Sequence, residues 1–124
     1  MARLFPMLSC GDLARSVRFY GELLGAAENY RFPEHGEPEF LSLSIGDSEI
    51  GLGGVSDEPM HGRAQRPASG HRIELCVYVD DVDETFRRAR TAGFETLTEP
   101  ADVPWGERVA WLADPDGNLV MITR

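Results

Sequence analysis

The stretch Trp105-Gly-Glu-Arg-Val-Ala-Trp-Leu-Ala-Asp-Pro-Asp-Gly-Asn-Leu-Val-Met-Ile-Thr-Arg124 reads as two short strands joined by a tight turn. Val109, Trp111 and Ala113 alternate with Ala110 and Leu112. Asp114-Pro-Asp-Gly117 then supplies turn chemistry, because Pro115 presets φ near −65° and Gly117 tolerates positive φ. Leu119 to Thr123 is apolar and β-branched enough to return as a strand. A hairpin alone is marginal in water, so an upstream sheet must receive it.

Working outward, that sheet is laid down in two similar passes. In the second, Ile73, Leu75, Val77 and Val79 alternate with Glu74, Cys76 and Tyr78, which predicts a strand over 72–79. Asp80 or Asp81 caps a helix over 81–92, with Val82, Phe86, Ala89 and Ala92 on one face and Gly93 at its end. Phe94 to Leu97 is the next strand, and Pro100 and Pro104 bracket the loop that leads to the hairpin.

The first pass has the same order. Leu4 to Cys10 predicts a strand, with Pro6 marking an edge or a bulge. Asp12 caps a helix over 12–24, whose apolar face is Val17, Phe19, Tyr20, Leu23 and Leu24, and Gly25 ends it. Ala26 to Phe32, Phe40 to Ile45 and Glu49 to Leu52 follow as strands, with Pro33 to Pro38 a loop and Gly46-Asp47 a hairpin turn. Asp12 to Asp80 and Gly25 to Gly93 are both 68 residues apart, the mark of an internal duplication. The fold class is α+β, two tandem βαβββ modules at 1–54 and 71–124. The aperiodic 55–70 segment between them is a linker or a flap, from which Met60 and His61 could touch a ligand.

Composition sets outer bounds. The 124 residues suit one domain or two small modules. A net charge of −9 argues against a nucleic-acid partner, serves solubility, and favours cationic ligands. No apolar run approaches a membrane span, and no secretory signal pattern opens the sequence, so the cytoplasm is the expected location. Cys10 and Cys76 lack metal-type spacing and are expected to be buried, reduced thiols. His35, His61 and His71 share no ligand spacing and are expected at the surface.

Three motifs in this order, Gly11-Asp-Leu13 with Val17-Arg-Phe-Tyr-Gly-Glu-Leu-Leu-Gly25, Val79-Asp-Asp-Val-Asp83, and Ala113-Asp-Pro-Asp-Gly-Asn118, carry a resemblance over nearly the whole chain. The chain resembles the vicinal oxygen chelate superfamily, the group of glyoxalase I, extradiol dioxygenases, and fosfomycin- and bleomycin-resistance proteins. The resemblance implies a cup-shaped mixed sheet, usually in a homodimer. Enzymes of that superfamily hold a divalent metal with His, Glu or Gln side chains projecting into the cup. Carried over by the motifs, those positions are Phe5, Gly51, Glu74 and Met121, and only Glu74 offers a hard ligand. A slip of one residue reaches only apolar neighbours on the other sheet face.

That pattern is similar to the metal-free bleomycin-resistance branch, as is the Trp105-Gly106 pair. The expected function is binding and sequestration of an aromatic or cationic natural product, with no cofactor, at a homodimer cleft. The expected ligand-binding residues are Phe5, Tyr30, Phe32, Phe40, Glu74, Tyr78, Trp105, Trp111 and Met121. Aromatic faces bind flat or cationic ligands by stacking and cation–π contact. Some of these rings could instead pack against the helices, and Glu74 could face either cup or solvent. The alternative function is a metal-dependent lyase, isomerase or dioxygenase of the glyoxalase type.

Overall fold

The computed structural model describes residues 3–67, 69–70 and 73–124. They form two compact units, Met1–Arg66 and Pro67–Arg124. The surface reading of His71 and the expected strand start at Arg72 lie outside the described residues.

The first unit contains β1 (Met7–Cys10), α1 (Leu13–Val17) continued by a π-helical segment (Arg18–Leu23), β2 (Ala27–Phe32), β3 (Phe40–Ile45) and β4 (Ser48–Gly54). The second contains β5 (Glu74–Tyr78), α2 (Val82–Thr91), β6 (Thr96–Asp102), β7 (Arg108–Ala113) and β8 (Leu119–Thr123). Each unit is a βαβββ module, so the α+β reading stands. The sheets run β1-β4-β3-β2 and β5-β8-β7-β6. In both, the first strand pairs parallel with the last, and the other pairs are antiparallel.

Strand alternation sends one face of each sheet to its helix. Leu41, Leu43, Ile50 and Leu52 are buried in the first unit with Phe19, Tyr20, Leu23 and Leu24. Phe19 and Tyr20 meet edge to face at 4.9 Å. Ala110, Leu112, Val120 and Ile122 are buried in the second unit with Val82, Phe86 and Ala89. Full burial of a Leu-sized side chain stabilises by roughly 1.5–3 kcal/mol, so these two layers hold the units together.

The helices begin alike. Asp12 accepts from Arg15 N at 3.1 Å, and Asp81, not Asp80, accepts from Glu84 N at 3.0 Å. They also end alike, at Gly25 and Gly93, both with φ +83°, which only glycine adopts freely. Between cap and glycine the first helix is therefore one residue longer than the second. The π-helical segment absorbs that residue. The bond closing α2, Phe94 N to Ala89 O, spans five residues, while its counterpart, Ala26 N to Tyr20 O, spans six. Helical periodicity predicts a plain α-helix here, and an inserted residue widens the turn instead of displacing the buried face.

Four strands differ from expectation, β5 in that it spans Glu74–Tyr78 and leaves Ile73 and Val79 outside. β1 starts at Met7 because Pro6 has no N–H to give the ladder, so Phe5 lies before the strand. β4 runs on to Gly54 because its last four residues pair with β1. β6 spans Thr96–Asp102 with Pro100 inside it. A proline is tolerated there because β6 is an edge strand with irregular register between Thr98 and Ala101. The remaining loop is a tight turn in which Val103 N donates to Glu107 O and Gly106 N to Val103 O.

Residues 55–66 carry no helix or strand. They are tied to β1 through Gln65, which accepts from Ser56 N at 2.8 Å and donates to Ser9 Oγ at 2.6 Å. Cys10 is buried as expected, but Cys76 is exposed. Its strand partners on the same face are Glu74 and Tyr78, and the helix covers the opposite one.

The turn between β7 and β8 is held by the buried Asp114. Its Oδ1 accepts from Asp116 N at 2.9 Å and Asn118 N at 2.8 Å, and its Oδ2 accepts from Asn118 Nδ2 at 2.9 Å. Asp114→Ala leaves these donors without their acceptor and should lower the unfolding free energy by about 1–3 kcal/mol in urea denaturation, with Asp114→Asn milder.

Arg108 ties β7 to the first turn of α2 by donating to both oxygens of Asp83, at 2.6 and 2.8 Å, and it also donates to Asp102 at 3.0 Å. The Arg108 hydrogen bonds hold the Asp83 carboxyl below its ordinary range. A carboxyl depressed in the folded state contributes stability above its unfolded pKa of about 3.9 and loses it as pH falls through the lower folded value. Arg108→Gln should therefore flatten the acid limb of a stability-versus-pH curve below about pH 4, measured by thermal melting.

Candidate functional site

The face of each sheet turned away from its helix carries the chemistry. In the first unit, register places Met7, Gly51, Ser42 and Tyr30 in one cross-strand row, and Gly53, Phe40 and Phe32 in the next. Tyr30 and Phe40 rings lie 6.1 Å apart. A Cβ at Gly51 would sit 2.7 Å from Met7 Sδ and 3.3 Å from both Phe5 and Phe40, and one at Gly53 would sit 2.8 Å from Met7 Cε. The two glycines thus let Met7, Phe5 and Phe40 settle onto the backbone of β4. Tyr30 and Phe32 are each 55% exposed. They share a groove of about 620 Å³ along β2 with Glu28 and Pro33. At the margin of this face Glu49 accepts from Ser42 Oγ at 2.7 Å and pairs with Arg3.

In the second unit the rows are Glu74–Leu119–Ala113, Cys76–Met121–Trp111–Thr98 and Tyr78–Thr123–Val109–Ala101. Trp111 Nε1 donates to Glu74 Oε2 at 2.9 Å. Tyr78 hydroxyl donates to Glu107 Oε2 at 2.9 Å, and Trp105 Nε1 donates to Glu107 Oε1 at 2.7 Å. The hydrogen bond to Glu107 is the main reason the Tyr78 phenol is held above its ordinary range, with the carboxylate charge second. Trp105 and Tyr78 remain 65% and 73% exposed, so their ring faces are free for contact.

The nine residues singled out from the sequence thus fall into two sets. Phe5, Tyr30, Phe32 and Phe40 belong to the first unit, with Phe5, Tyr30 and Phe40 grouped around β4 and β2. Glu74, Trp111 and Met121 form one cluster in the second, and Tyr78 and Trp105 meet through Glu107. Sequence reading missed Met7, Glu49 and Glu107. The alternating Gly51 and Gly53 are a signal of close approach that points to a neighbour such as Met7. Glu107 carries no such signal, because its partner Tyr78 lies 29 residues away.

The match of a family model over residues 4–122 shows that the chain belongs to the Glyoxalase/Bleomycin resistance protein/Dioxygenase superfamily. A Mycobacterium bovis protein is 31% identical over 93% of this chain and 78% of its own length. Lactoylglutathione lyase of Haemophilus influenzae is 34% identical over 97% of this chain and 90% of its own length. Among solved structures, TioX from Micromonospora sp. ML1 is 28% identical, with a TM-score of 0.74 over 99% of this chain and 98% of that one.

The four positions that the resemblance marks for metal ligands are Phe5, Gly51, Glu74 and Met121. Phe5 and Gly51 are indeed neighbours, but what they bring together is a phenyl ring and a bare backbone. Glu74 already accepts from Trp111, and Met121 offers only a soft thioether. Among the described residues no group of three or more His, Cys, Asp or Glu side chains is placed to hold a metal ion. This donor set does not fit a hard divalent ion.

Removing the Glu107 charge tests the cluster. Glu107→Gln should bring the Tyr78 titration down toward the ordinary phenol range, read as phenolate absorbance against the Tyr78→Phe background.

Proposed function

We propose that this chain is a small-molecule binding protein of the bleomycin-resistance type, which holds an aromatic or cationic ligand without transforming it and without a metal or other cofactor. The observation that carries this reading is the chemistry of the four positions that the resemblance marks, a ring and a glycine in the first unit and an indole-bound carboxylate and a thioether in the second. Rings with exposed faces lie on the same sheet faces, the usual means of gripping a flat ligand. The reading includes a homodimer. Open aromatic faces on a monomer are exposed apolar surface, and a second copy covering part of them would leave a cleft for the ligand. The predicted contacts are Phe5, Tyr30, Phe32, Phe40, Glu74, Tyr78, Trp105, Trp111 and Met121.

A second reading is favoured by one observation, the 34% identity to a protein named lactoylglutathione lyase. It is a metal-dependent lyase, isomerase or dioxygenase, and it requires donors that the four positions do not supply.

The purified chain decides between them. Elemental analysis should find substoichiometric zinc, nickel, manganese and iron, and added metal should not produce turnover of an α-ketoaldehyde, a catechol or an epoxide. A ligand from a panel of planar aromatic antibiotics should quench tryptophan fluorescence and be recovered unchanged. Trp105→Ala should weaken that binding by about 1–3 kcal/mol. One tightly held metal per chain with metal-dependent turnover would establish the enzyme instead, and a monomer at micromolar concentration would remove the shared cleft.

A further inference from the structure

The open face of the second sheet holds a slot that the geometry defines without reference to the first unit. Two bridges of side chains cross β8. One runs from Trp111 on β7 to Glu74 on β5, a span of two strand spacings, about 10 Å. The other runs from Tyr78 on β5 to Glu107 at the start of β7. Glu74 and Tyr78 are four residues apart on one strand, about 13 Å. Between them lies the Cys76–Met121 pair, a floor of two polarisable sulfur side chains. Trp105, held by the other oxygen of Glu107, extends the Tyr78 end.

Three features of this slot ask for a ligand. Each carboxylate is hydrogen-bonded by an indole or phenol, which donates no positive charge, so both negative charges stay uncompensated by these partners. The donors are aromatic edges, which leaves the electron-rich ring faces for a ligand. Thr123, in the same row as Tyr78, is only 1% exposed, and its hydroxyl finds no hydrogen-bond partner among the described residues. A buried orphan hydroxyl is costly and is normally met by a polar group or a water.

We propose that this slot is a site for a planar aromatic cation, seated over Cys76 and Met121, with Glu74 and Glu107 as counter-charges and Trp111 and Tyr78 as walls. The proposal rests on the ligand-binding reading above and narrows it to one sign of charge and one sheet face. Glu107 acts as a positioning residue as well, since it fixes two rings at once. The thiol of Cys76 reports the same field. Partial desolvation comes first in raising it above its ordinary range, and the charges of Glu74 and Glu107 follow.

The test uses the whole chain with two probes of matched shape at mildly alkaline pH, the cation 10-methylacridinium and the neutral 9-methylacridine. Binding is read by tryptophan fluorescence, and Cys76 alkylation by iodoacetamide is read by mass spectrometry, with the buried Cys10 as internal control. The cation should bind about tenfold or more tighter than the neutral probe and should slow alkylation of Cys76. Glu74→Gln keeps the one oxygen that accepts from Trp111 and removes the charge, whereas Glu107→Gln removes the charge and also gives up one of its two acceptor oxygens. Each should weaken the cation about threefold or more beyond whatever loss the neutral probe shows with the same variant. Equal affinity for both probes overturns the cation site and leaves the ligand-binding reading standing. A bound cation that leaves Cys76 alkylation unchanged places the ligand elsewhere and overturns it too. Binding of neither probe overturns it, and if metal-dependent turnover accompanies that result, the ligand-binding reading falls as well.

Discussion

A four-stranded sheet has two faces, and each unit of this protein has one short helix to cover them. That shortage governs the rest of the structure. The covered face takes the branched aliphatic residues, Leu41, Leu43, Ile50 and Leu52 in the first unit and Ala110, Leu112, Val120 and Ile122 in the second. The face left open cannot be filled the same way without creating bare hydrocarbon. It is built instead from glycines, hydroxyls, aromatic rings and carboxylates, and those are the residue types that bind small molecules.

The two units solve that problem differently. The first packs its open face down, with Met7, Phe5 and Phe40 pressed onto glycine positions of β4. The second props its rings up, tying the polar edges of Trp111, Tyr78 and Trp105 to Glu74 and Glu107. The duplication therefore preserved backbone pairing while the side chains diverged. The π-helical segment is one trace of that divergence, an extra residue taken up inside a helix whose cap and terminal glycine kept their roles.

Family membership and side-chain chemistry pull apart at the four positions that the resemblance marks. The scaffold is that of a superfamily containing metal enzymes, and the chain is 34% identical to one named lactoylglutathione lyase. Yet fold constrains backbone, and chemistry belongs to side chains. A phenyl ring at one position and a glycine at the next are compatible with every hydrogen bond of the sheet and with none of the donors a hard cation needs.

Much of this was legible in the sequence. Alternation in Leu75, Val77 against Glu74, Cys76, Tyr78, the caps at Asp12 and Asp81, the glycines at 25 and 93, and the Asp114–Gly117 turn are local signals, because strand period, capping and turn geometry act within a few residues. Even the exposure of Cys76 was implicit, since alternation puts it on the face of Glu74, whereas Cys10 shares its face with Leu8. Tertiary structure alone decided the rest. That Glu107 meets Tyr78 as well as its near neighbour Trp105, that Met7 occupies the space over Gly51, and that Pro100 lies inside an edge strand are facts about segments far apart in the chain. Periodicity tells which residues share a face. It does not tell which neighbours a side chain reaches across that face, because this depends on strand order and register, set by the packing of the whole unit.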